Sequence, residues 1–168
     1  MSVVLGIDPG TATLGWGLVR EHGSDLSLVG CGAIRTPAHS PLHERLLAIH
    51  TELNELLHRY RPAALAVEKL FFTKNVTTGI AVAHARGVVL LVAAQAGLPI
   101  AEFTPMEVKQ TLTGYGGADK QQMQTMVRLL LGLTDVPRPD DAADAVAVAI
   151  CYHRLARYRQ LADASGDS

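Results

Sequence analysis

The run Ala63-Ala64-Leu65-Ala66-Val67 is apolar at every position and ends on Glu68. A short bounded run with no polar alternation reads as a strand covered on both faces, so the sheet that holds it needs a layer on either side. The opening of the chain predicts three more strands, Val3 to Asp8, Leu14 to Arg20 and Leu26 to Ile34, separated by Pro9-Gly10 and by His22-Gly23-Ser24-Asp25. The second and third form a hairpin. Strands first, then helix alternating with strand, give an α/β domain with a mixed sheet and helices on both faces.

From Leu42 to Tyr60 the apolar residues Leu42, Leu46, Ile49, Leu53, Leu56 and Tyr60 recur every three or four positions, the pattern of an amphipathic helix, and Pro62 ends it. A second helix is expected from about Thr77 to Ala96. Its apolar residues nearly encircle it, which places it centrally in the fold or at a subunit interface. After a short strand, Ile100 to Phe103, Thr104-Pro105-Met106-Glu107 carries the signals of a helix start: Thr as N-cap, Pro in the first turn and Glu closing a capping box. That helix runs to Leu112, and the flexible Gly114-Tyr115-Gly116-Gly117 follows. The next helix spans about Asp119 to Leu131, with Met123, Met126, Val127 and Leu130 inward. A last helix runs from Asp140 or Asp141 to about Arg159. Residues 1–160 thus read as one domain and 161–168 as a polar, frayed C-terminal tail.

Four acids end or begin apolar segments. Asp8 closes Val3-Val4-Leu5-Gly6-Ile7, Glu68 closes the covered strand, and Asp141 and Asp144 open the Ala- and Val-rich stretch to Ile150. Asp141 and Asp144 are three residues apart on a helix, about 60° around its axis, so both can address one ion. In an open α/β sheet, sites gather at the carboxyl ends of the strands, where Asp8 and Glu68 fall if their strands are parallel neighbours. Each acid alone has a plainer reading: Asp8 before Pro9-Gly10 as a turn residue, Asp140 or Asp141 as a helix N-cap. Together they make a site for two hard divalent cations, and phosphate chemistry.

The rest of the composition narrows the class. Cys31 and Cys151 are isolated thiols without a CxxC or Cys/His cluster, so zinc and a disulfide framework are not indicated. His39 and His43 are split by Pro41 and are given no metal. The longest apolar stretch, Val88 to Ala96, is too short to span a bilayer, and no secretion signal opens the chain; no membrane association and a cytoplasmic location are expected. Net charge is −1. If metal neutralises the four acids, the remaining surface is net basic by about 3 charges, enough to bind DNA if they cluster.

Five segments in order carry a family resemblance: Leu5-Gly6-Ile7-Asp8-Pro9-Gly10, Val67-Glu68, Ala85-Arg86-Gly87, Val108-Lys109-Gln110 and Asp141-Ala142-Ala143-Asp144-Ala145. They resemble the successive motifs of the RuvC family, the bacterial crossover junction endodeoxyribonucleases, over nearly the whole chain to about Tyr152. The resemblance implies an RNase H-like fold, a homodimer, and nicking of four-way (Holliday) junction DNA with two Mg²⁺ or Mn²⁺ ions per site. It also implies 5′-phosphate and 3′-hydroxyl ends and a RuvA and RuvB branch-migration complex as partner. Carried over residue by residue, Asp8, Glu68, Asp141 and Asp144 are the catalytic metal ligands; Asp140 leaves the register of the third acid open.

For DNA binding, Lys74, Lys109 and Lys120 match basic positions of the family and fall near site loops or helix starts, where an ammonium can hold a phosphate. Arg86 has two readings, a DNA contact or an internal salt bridge. Phe71, with Phe72 beside it, follows Glu68 closely enough to stack on a base exposed at the junction centre, core packing being the alternative. A rival comes from Gly6-Ile7-Asp8-Pro9-Gly10-Thr11, which also resembles the first phosphate loop of the actin and sugar-kinase superfamily. Those proteins close two domains around ATP, more than this chain supplies. A non-catalytic junction- or RNA-binding module is the other alternative.

Overall fold

The computed structural model describes residues 2–69 and 75–166. In chain order the elements are β1 (Ser2–Asp8), β2 (Thr13–His22), β3 (Asp25–Arg35), α1 (Leu42–Tyr60), β4 (Ala64–Glu68), α2 (Val76–Gln95), β5 (Ile100–Phe103), α3 (Pro105–Thr113), α4 (Lys120–Leu130) and α5 (Asp140–Gly166). The five strands form one sheet in the order β3-β2-β1-β4-β5. β1, β2 and β3 pair antiparallel, with a bulge opposite Leu18 and Val19, while β4 and β5 run parallel to β1. The covered strand is therefore interior, as its lack of polar alternation requires.

Two apolar clusters sandwich the sheet. On one face Leu5, Ile7, Leu14, Leu18, Leu65 and Val67 meet Ile49 and Leu53 of α1 and Val89 and Val92 of α2. On the other, Val4, Val19, Ala64 and Ala66 meet Val108 of α3, Val127 of α4 and the Val146–Cys151 turns of α5. This is the RNase H-like mixed α/β architecture. The capping box at Thr104 forms as its sequence requires: Glu107 Oε2 accepts from the Thr104 amide at 2.7 Å, and Thr104 Oγ1 accepts from the Glu107 amide at 3.1 Å. A second box, between Asp119 and Gln122, starts α4.

Three details depart from the sequence reading. α5 continues to Gly166 rather than ending near Arg159. Leu155 to Ala164 is rich in Ala, Leu, Arg and Gln and holds no Pro or Gly, so nothing in it stops a helix. Met126 is half-buried like Met123 and Leu130, but it lines a cavity with Tyr115 and Thr125, whereas those two pack against the core cluster. Finally, α2 taken as a whole is long and apolar enough to cross a bilayer by length and composition, because His84 and Arg86 interrupt its apolar character without outweighing it. It packs on α1 and the sheet through Ala85, Val89, Val92 and Ala93, while Val76, Ile80 and Leu91 stay exposed.

Candidate metal centre

Strand alternation decides which side chains meet. Along β1, Leu5 and Ile7 enter the core beneath α1 and α2 and Val4 enters the core beneath α5, so Asp8 emerges on the α5 face. Along β4, Ala64 and Ala66 face α5 and Leu65 and Val67 face away, which puts Glu68 on the same side as Asp8. Parallel pairing of Ile7 with Val67 brings the two acids to neighbouring strand ends.

The helix carrying the other acids comes unusually close to the sheet. Gly6 and Gly17 are cross-strand partners, and Asp8 pairs with Gly15. A Cβ on Gly6 would overlap the Ala145 carbonyl, one on Gly15 the Asp141 carbonyl, and one on Gly17 the Val146 side chain and backbone. These three glycines form a bare floor on which the first turns of α5 rest. Contact at this range sets Asp141 and Asp144 over the end of β1. Sequence reasoning missed Gly15 and Gly17 as site-building residues; their alternation within a strand, opposite Gly6, was the available signal.

One carboxylate oxygen from each of Asp8, Asp141 and Asp144 lies within 4.8 Å of the others. Among the described residues this is the one group of three acid, His or Cys side chains so disposed. Glu68 stands beside this trio, lining with Asp144, Lys109 and Lys120 a cavity of about 240 Å³ whose wall includes Val108 and Met123.

Burial dominates the electrostatics. It pushes the Asp8 carboxyl up to about 8, with the charges of Glu68, Asp144 and Asp141 adding to the shift and Lys120 opposing it. Glu68 rises to about 7 through burial and the charge of Asp144, against the pull of Lys109. Asp144 also rises, through burial first, with Lys120 lowering it and Asp141 and Asp140 raising it. Acids crowded with too little positive charge nearby favour either protons or a cation. Hard carboxylate oxygens converging at this spacing, without sulfur or imidazole, fit Mg²⁺ or Mn²⁺.

Asp140 and Asp141 take different directions. Asp141 joins the trio, whereas Asp140 turns outward to Lys120 at 3.4 Å, Arg138 at 3.8 Å and the Gln124 side-chain amide at 3.3 Å. Lys120 also reaches to 3.9 Å from Asp144. Of the expected DNA-binding residues, Lys109 and Lys120 therefore lie at the acids. Arg86 does not: its guanidinium pairs with Glu102 at 2.8 Å, and Glu102 is the β5 partner of Val67, on the opposite face from Asp8. Among the described residues its Nε finds no hydrogen-bond partner, although it is buried. Phe71 and Lys74 lie outside the described residues.

Such a sheet, with helices on both faces and carboxylates at the carboxyl ends of adjacent parallel strands, defines a metal-dependent nuclease of the RNase H-like class. Comparison with known proteins gives the family. The model of the family described as crossover junction endodeoxyribonuclease RuvC matches residues 4–152. A protein of that name from Roseiflexus sp. strain RS-1 is 60% identical over 148 residues, 88% of each chain. Another from Rubrobacter xylanophilus is 56% identical over 156 residues, covering 91% of this chain and 87% of that one. The structure of T. thermophilus RuvC in complex with Holliday junction substrate superposes with a TM-score of 0.89 at 41% identity, over 94% of this chain and 96% of that one. The chain belongs to the RuvC family.

Proposed function

We propose that this protein is a structure-selective endonuclease that resolves Holliday junctions by paired, symmetric nicks, leaving 5′-phosphate and 3′-hydroxyl ends. The observation that carries the reading is the convergence of Asp8, Asp141 and Asp144 within 4.8 Å, beside Glu68 and under two lysines. Membership of a family with a relative solved on Holliday junction substrate supports the choice of DNA.

In this account Asp8, Glu68, Asp141 and Asp144 hold two Mg²⁺ or Mn²⁺ ions. The Asp8 carboxyl feels the charges of Glu68, Asp144 and Asp141, so the four acids would hold divalent ions as one group. Two such ions, when bound, polarise the phosphodiester, activate a water and stabilise the leaving oxygen. Lys109, in the second turn of α3, and Lys120, at the start of α4, hold phosphate oxygens of the strand and offset its charge as it enters an acidic site. Phe71, close to Glu68 in sequence, and Lys74, at a basic position of the family, are proposed DNA contacts.

Two nicks need two sites, and a two-fold dimer supplies them on a substrate of matching symmetry. The exposed apolar side chains Val76, Ile80 and Leu91 of α2 support a homodimer through that helix. We also read 1–160 as one nuclease domain with 161–168 as an appendage, the RuvA and RuvB branch-migration complex as partner, and the cytoplasm as the site of action.

The test uses end-labelled four-way junction, linear duplex and RNA/DNA hybrid, each incubated with the protein and Mg²⁺ or Mn²⁺. Symmetric nicks confined to the junction are expected. Equal cutting of the hybrid would shift the reading to a ribonuclease H, and no cleavage with either metal would end it.

A further inference from the structure

Beside the acidic cavity lies a second surface with different chemistry. Met106, in the first turn of α3, is 65% exposed, and Tyr115, in the loop that joins α3 to α4, is 64% exposed. Both are backed by glycine: Met106 lies over Gly116, and the Tyr115 phenol folds over Gly117, near enough that a Cβ on either glycine would press on them. The Thr113 hydroxyl ties the loop to α3: it accepts from the Tyr115 amide at 3.1 Å, and its single proton is shared between the Lys109 carbonyl at 2.7 Å and the Tyr115 carbonyl at 2.9 Å. These exposed apolar groups are thus presented on a braced turn.

Their position ties them to the site. Pro105, which precedes Met106, and Lys109, three residues on along the same helix, both line the cavity with Glu68 and Asp144. Lys120 follows the loop and reaches the acids from the other side. Next to Tyr115, Gln121, Gln122 and Thr125 line a neighbouring cavity of about 440 Å³ with neutral donors and acceptors, and Asp119 also stands in its wall. The two acids closest in sequence, Glu107 and Asp119, are turned back onto their own helix N-termini in capping boxes. A polyanion held by Lys109 and Lys120 would meet, one step from its phosphate, a thioether, a phenol ring and neutral amides. That chemistry suits a nucleobase.

We infer that Met106 and Tyr115 form a base-contacting subsite, on which a nucleotide flanking the cut phosphate packs, and that this contact sets the nucleotide preference of cleavage. The inference rests on the junction-cleaving reading and names residues that reading does not use.

Steady-state cleavage is measured for the wild-type protein, Met106→Ala, Tyr115→Ala and Tyr115→Phe on junctions that differ only in the nucleotides flanking the cut. Each alanine variant should raise KM roughly tenfold on the preferred junction and flatten the preference, as loss of one stacking contact does, with kcat nearly intact. Tyr115→Phe should retain both. A junction carrying 2-aminopurine beside the cut gives a second readout. Its fluorescence should be quenched on binding wild-type protein, and less so with Tyr115→Ala at unchanged thermal stability. Wild-type cleavage with unaltered KM and preference in both alanine variants would overturn the inference alone. Absence of wild-type cleavage would remove the underlying reading, and the subsite with it.

Discussion

Gly15 lies against the backbone carbonyl of Asp141 so closely that a Cβ at Gly15 would overlap it. Gly15 is the cross-strand partner of Asp8, so a position without a side chain in β2 sets the distance between acids on β1 and α5. Gly15→Ala must displace the first turn of α5 from the sheet. The overpacking cost is expected to be about 1–3 kcal/mol of stability. Metal affinity should fall by more than that loss explains, because the shift separates Asp141 from Asp8. Chemical denaturation with and without Mn²⁺ measures both, and a variant that stays fully metal-responsive would contradict the account.

Asp8→Asn tests the electrostatics. In metal-free protein Asp8 keeps its proton to about 8, while in the unfolded chain the same group releases it near 3.8. Between those values the unfolded state binds fewer protons, so stability falls as pH rises, and Glu68 and Asp144 add to the slope. Asn removes one contributor. Without metal the variant should melt roughly 5 °C above wild type at pH 8, and the gap should close toward pH 4. Adding Mn²⁺ should raise the melting temperature of wild type much more than that of the variant, and the variant should bind junction without cutting it.

Lys109→Ala and Lys120→Ala each remove one cation from the cavity wall. Junction affinity should drop for both, and the slope of log K against log salt should shrink by about 1 for each. A salt slope equal to that of wild type would exclude them as phosphate contacts.

Arg86→Ala separates packing from recognition. It leaves Glu102 without its partner on a half-buried edge of the sheet, at an expected cost of about 1–3 kcal/mol. Folded protein should bind junction with an unchanged salt slope. A shallower slope at preserved stability would return Arg86 to the DNA surface.

The strand pattern and both terminal acids were legible in the sequence because alternation along a strand is a local property. Asp8 and Glu68 each fall one residue past a buried apolar position, and the parallel pairing of Ile7 with Val67 in the structure then puts them on one face. The capping signals at Thr104 and Asp119 were local in the same sense; the first was read directly. Helix spacing likewise placed Asp141 and Asp144 on one side of α5. It could not choose between Asp140 and Asp141 as the third acid, since both fit a helix start.

The directions the two side chains take belong to the tertiary structure. How α5 is turned against β1 and β2 sends Asp141 inward and leaves Asp140 to Lys120 and Arg138. The same holds for Arg86, whose partner Glu102 is sixteen residues away in sequence and meets it only because α2 packs over the far face of β5. The sequence by itself determined which acids end which strands, because each closes a short bounded apolar run. Only the packing of α5 onto the glycine floor decided which carboxylates converge, because that distance depends on side chains absent from strands more than a hundred residues away.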